Sequence, residues 1–92
     1  MAQQRRIVHF RGHVQGVGFR YTTCQVAQRF DVTGTVCNLD DGSVRMIAEG
    51  AHATLDRLIA AIAEAMDGRI RDWGEEIVDA TGEFAGFSIV HH

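Results

Sequence analysis

The stretch "TVCNLDDGSVRMIAEG", residues 35–50, reads as a β-hairpin. "TVCNL" (35–39) and "SVRMIAEG" (43–50) are extended runs, and Asp40, Asp41 and Gly42 between them suit a tight turn with positive φ at the glycine. A helical pattern stands on each side of this hairpin. Upstream, Thr23, Ala27 and Phe30 recur at i, i+4 and i+7 with Val26 beside them, predicting an amphipathic helix over about 20–31 that the chain leaves at Gly34. Downstream, Leu55, Leu58, Ile59, Ile62 and Met66 predict a second helix over about 53–67, with Gly68 as its C-terminal cap.

Further out, "RIVHFR" (6–11) alternates Val8 and Phe10 against Ile7, His9 and Arg11, the pattern of a partly buried strand. "RIRDWGEEIV" (69–78) and "GFSIV" (86–90) are the remaining strand candidates, interrupted by Gly74 and Gly82. The order β, α, β, β, α, β is that of the ferredoxin-like split βαβ fold. The expected class is therefore α+β: a βαββαβ sandwich with an antiparallel sheet, two helices on one face and a short extra C-terminal strand. With 92 residues and no linker or repeat, one domain over 1–92 is expected.

Nine basic and twelve acidic side chains give a formal net charge of −3, the opposite of what bulk binding to nucleic acid selects. An RNA-binding sheet would also need stacked aromatics, and "VRMIAEG" (44–50) has none. Any anion must be bound locally. Every basic residue is arginine, which removes a P-loop lysine and Schiff-base chemistry. There is no signal-like apolar stretch and no run long enough to span a bilayer, so a cytoplasmic protein without membrane contact is expected. Cys24 and Cys37 then read as two unpaired small hydrophobes rather than a disulfide. The terminal His91 and His92 are given no function.

The first strand and the first helix are joined by "GHVQGVGFR" (12–20). Backbone N–H groups in a glycine-containing turn that enters a helix can converge on one concavity, where the helix N-terminus adds partial positive charge. Arg20 can fold its guanidinium over the same space and pair with two oxygens of a phosphate. On residue types alone the loop fits a phosphate or carboxylate cradle, and it also fits a plain tight turn. What it lacks is informative. A cysteine phosphatase loop needs a cysteine where this chain has Val14, a nucleotide P-loop ends in GK[ST] where this chain has Gly18-Phe19-Arg20, and a dinucleotide fingerprint fails at Tyr21.

"GHVQGVGFRYTTCQVAQRF" (12–30), then Gly34, Val36 and Asn38, the turn Asp41-Gly42-Ser43-Val44, Gly50, and Phe87 and Ile89 near the end resemble the acylphosphatases over essentially the whole chain. The resemblance implies a hydrolase that cleaves acyl phosphates to carboxylate and inorganic phosphate, with no metal or organic cofactor; a monomer is the default expectation. It places the family's phosphate-binding arginine on Arg20 and its catalytic asparagine on Asn38. It also assigns the cradle to the backbone N–H groups of Gln15, Gly16, Val17, Gly18 and Phe19. The departures are Cys37, where the family often has a basic residue, and Asp67-Gly68, where it usually has Gly-Pro. Segment 69–85 is the least family-like, and its contacts to the substrate's acyl end are not transferred. The alternative is a catalytically idle, anion-binding regulatory domain of the same fold.

The chemistry suits so few residues. An acyl phosphate expels a carboxylate whose conjugate acid has a pKa of about 4, whereas a simple ester expels an alkoxide roughly ten or more units more basic. The first reaction needs no protein acid. Asn38 offers both an acceptor and donors without charge, so it can hold a water beside the phosphorus without repelling the anion. His9, His13 and His52 show no metal-ligand spacing, Asp40 and Asp41 read as turn formers, and Trp73 reads as packing. Tyr21 and Thr22 lie beside Arg20, where contact with substrate and plain helix packing both fit.

Overall fold

The computed structural model describes residues 3–91, so His92 lies outside the described residues. Seven elements follow in order: β1 (Gln3–Gly12), α1 (Phe19–Ala27), β2 (Thr33–Asn38), β3 (Val44–Ala51), α2 (His52–Ala65), β4 (Ile70–Asp79) and β5 (Phe87–Ile89). They form one sheet in the order β4-β1-β3-β2-β5. β3 lies between β1 and β2, and β1 lies between β3 and β4, so each helix crosses over one intervening strand, as the ferredoxin-like sandwich requires.

Period-two alternation sets the layers. Val8 and Phe10 of β1, Val36 of β2 and Val44 and Met46 of β3 are fully buried on one face, where Phe19 and Val26 of α1 and Leu55, Leu58 and Ile62 of α2 cover them. Both helices therefore lie on one face. The hairpin turn closes as its residues predict: Leu39 N donates to Ser43 O at 2.9 Å and Gly42, with φ 91°, donates to Leu39 O at 3.2 Å.

Three details differ from the sequence reading. The first helix stops at Ala27, and residues to Phe30 continue as a tighter turn in which Arg29 N and Phe30 N donate three residues back, to Val26 O and Ala27 O. Phe30 still packs against the core, which is why it kept helical spacing. Gly34 is not a helix exit; it lies inside β2, where a Cβ would fall 1.9 Å from Ile47 O, so close strand approach requires it. Finally, the sheet is not wholly antiparallel, because β5 pairs parallel to β2.

β4 and β5 occupy opposite edges, so residues 80–86 must carry the chain from one side of the sheet to the other. Glu49 on the open face of β3 holds this segment. Its carboxylate accepts from Thr81 N and Gly82 N, each at 2.9 Å, and from Arg5 Nε at 2.7 Å. A sequence pattern with a single buried face gives no sign of this contact.

Candidate active site

The strand register brings the two halves of the candidate site to one end of the sheet. Val44 pairs with Phe10 of β1 on one side and Asn38 of β2 on the other, so Asn38 stands two strands, about 10 Å, from the end of β1. The loop that leaves β1 spans that gap before α1 begins. Its ends are anchored in the core by Val14 and by Phe19, both 1% exposed, and the Phe19 ring stacks at a tilt on Phe10 with centroids 5.2 Å apart.

Between these anchors the backbone alternates in hand. Gly16 has φ 76° and Gly18, the residue capping α1, has φ 77°, while no non-glycine among the described residues has positive φ. The sign therefore alternates from Gln15 to Gly18. A Cβ on Gly16 or Gly18 would meet nothing within 4 Å, so conformation and not crowding demands glycine. Alternating hands turn successive N–H groups toward one side, a concavity suited to an anion. Among the described residues the N–H groups of Gln15, Gly16, Val17 and Gly18 have no protein acceptor.

A depression of about 130 Å³ opens there, lined by Val14, Gly16, Gly18, Phe19, Arg20, Tyr21, Asn38 and Ile89. It unites Arg20 and Asn38 with the loop. Arg20 makes no ion pair among the described residues, whereas Arg5 and Arg6 are committed to Glu49 and Glu83 and to Asp56 and Glu75. Asn38 is half-buried, and its Oδ1 has no hydrogen-bond partner among the described residues. A buried acceptor left open in this way is costly unless something in the site uses it. Cys37 lies on the opposite face of β2, where Arg45 Nη2 approaches its Sγ at 3.7 Å.

Of the residues expected in the cradle, Gly16, Gly18, Phe19 and Arg20 line the depression and Gln15 and Val17 flank it. Gln15 turns its side chain toward the hairpin, donating from Nε2 to Leu39 O at 2.8 Å and to Ser43 O at 2.9 Å. Tyr21 is 63% exposed at the rim. Ile89 enters from β5, more than fifty residues from Asn38 in the chain, and no local pattern marks it as part of a site. A second depression of about 190 Å³ behind the hairpin turn holds neither Arg20 nor Asn38, and its Arg11 is paired with Asp72. Among the described residues no helix is long and apolar enough to cross a membrane.

Known proteins resemble this chain in sequence and fold. A sequence model of the acylphosphatase family matches residues 6–89. An acylphosphatase of Listeria welshimeri is 53% identical over 62 residues, which are 67% of each chain. An acylphosphatase of Paenarthrobacter aurescens is 42% identical over 80 residues, covering 86% of this chain and 85% of that one. The crystal structure of acylphosphatase from Bacillus subtilis superposes with a TM-score of 0.83 at 34% identity, covering 96% of this chain and 98% of that one. The family match spans Arg6 to Ile89, from β1 through the loop and hairpin to β5, and the chain belongs to the acylphosphatase family.

Proposed function

We propose that this chain is a metal-independent acylphosphatase in which Arg20 and the loop N–H groups hold the phosphate and Asn38 orients the attacking water. One observation carries the reading: Arg20, Asn38 and the alternating glycine loop, brought together by the strand register, line the same depression. The phosphate sits in the concavity of N–H groups at the start of α1, and the Arg20 guanidinium neutralises its outer oxygens. The Asn38 side-chain amide hydrogen-bonds the water and holds it in line with the phosphorus.

The water oxygen then forms the new bond to phosphorus as the bond from phosphorus to the acyl oxygen breaks. The electron pair leaves on a carboxylate that is stable without protonation, and the water's proton passes to an oxygen of the transferred phosphate. Inorganic phosphate and a carboxylate are released. In this reading a single domain of 92 residues acts as a cytoplasmic monomer on small-molecule acyl phosphates, without nucleic acid, membrane or cofactor.

The test compares an aryl acyl phosphate with a simple phosphate monoester, chelator present, using the native protein and Asn38→Ala. Chelator-resistant turnover of the anhydride alone, reduced on the order of 10² or more in the variant, is the expected result. Saturable phosphate binding without turnover would favour the idle anion-binding domain instead.

A further inference from the structure

The Gln15 side chain joins the two halves of the site. Both hydrogens of its amide are used, one on Leu39 O at 2.8 Å and one on Ser43 O at 2.9 Å, across sequence separations of 24 and 28 residues. These carbonyls close the hairpin turn, and Leu39 directly follows Asn38. The acceptor side is itself rigid: Leu39 N donates to Ser43 O, Gly42 N donates to Leu39 O, and Asp41 Oδ1 accepts from both Ser43 N at 2.9 Å and Ser43 Oγ at 2.6 Å. The donor side is equally confined, between the anchor Val14 and the left-handed Gly16.

We infer that Gln15 is a positioning residue that sets the distance between the phosphate cradle and Asn38, and so aligns the water with the phosphorus. The inference rests on the roles proposed above for the loop and Asn38. Val14 and Phe19 pin the loop to β1 and the core, and the register of β2 with β3 pins the hairpin. Among the described residues, the Gln15 amide supplies the side-chain hydrogen bonds that connect the loop to the turn. In-line transfer is sensitive to misplacement, and an error of about 1 Å can cost on the order of 10² in rate. Loss of the amide would leave neither carbonyl unpaired, because each keeps its partner within the turn. The consequence should therefore fall on alignment more than on folding.

The experiment is a double-mutant cycle with Gln15→Met, which keeps the side-chain length and removes both donors, and Asn38→Ala. Turnover of an aryl acyl phosphate and inhibition by inorganic phosphate are measured on all four proteins. The expected result is a fall in kcat on the order of 10-fold to 10²-fold in Gln15→Met, with the phosphate inhibition constant within about threefold of native. In the Asn38→Ala background the same change should have little further effect, because the group it aligns is gone. Native kcat in Gln15→Met, an equal loss in both backgrounds, or a matching rise in the phosphate inhibition constant would each overturn the inference. Unchanged turnover in Asn38→Ala alone would instead overturn the role of Asn38. If Gln15→Met does not fold, Gln15→Ala repeats the cycle, since it also removes both donors while both carbonyls keep their partners within the turn.

Discussion

The Nε of Arg5 on β1 donates to the carboxylate of Glu49 on β3 at 2.7 Å, and Glu49 is only 4% exposed. Burial alone would raise the Glu49 pKa, but hydrogen bonds from Thr81 N, Gly82 N and Arg5 outweigh it and hold the group at about 2. A depressed folded pKa contributes stability that is fully present above the unfolded value near 4.5 and is lost as pH falls toward 2. Glu49 thus contributes on the order of 3 kcal/mol at neutral pH. Urea unfolding of the native protein and Glu49→Gln should show a stability gap that is widest above pH 5 and shrinks between pH 4.5 and pH 2. A gap independent of pH would mean that folding does not shift the Glu49 pKa.

Arg20 should affect binding and turnover together. Removing it deletes about two charge-assisted hydrogen bonds of roughly 1.5–3 kcal/mol each, so kcat/KM in Arg20→Ala should fall on the order of 10²–10⁴. The inhibition constant for inorganic phosphate should rise in parallel, in contrast to Asn38→Ala, where phosphate binding should be largely kept. Native phosphate inhibition in Arg20→Ala would remove the guanidinium from the site.

Arg6 is the most buried charge, 1% exposed, with Nη1 on Asp56 at 2.8 Å and Glu75 at 3.1 Å and Nη2 on His52 Nδ1 at 2.9 Å, while its Nε has no partner. Its carboxylate partners are part-exposed and regain water if it is removed. Arg6→Met should therefore cost less than about 1.5 kcal/mol, since a similar apolar volume replaces a charge whose desolvation offsets its pairing. Arg6→Ala should cost about 2–4 kcal/mol through the space it leaves. Both variants should keep native kcat, because Arg6 does not line the depression. Equal loss in the two would show that the ion pairs, and not the volume, stabilise this position.

Much of the fold was legible because its signals are local. The alternation of Val8 and Phe10, the spacing of Leu55, Leu58 and Ile62, and the turn at Gly42 each follow from a geometry that repeats within a few residues. Gly34 was misread because its need arises from Ile47 O on a neighbouring strand. The parallel docking of β5 was likewise hidden, since three residues carry no information on which strand they will join.

Sequence alone determined the two helices, the hairpin and the glycine loop ending in Arg20, and through its resemblance it pointed to Asn38. Tertiary structure decided the distance between these groups, the entry of Ile89 into the site, the clamp of Glu49 on residues 80–86 and the link from Gln15 to the hairpin. The division has a physical basis. Backbone conformation and amphipathic period are written in neighbouring residues, whereas side-chain hydrogen bonds spanning twenty or more residues exist only after the register of the sheet has brought their partners together.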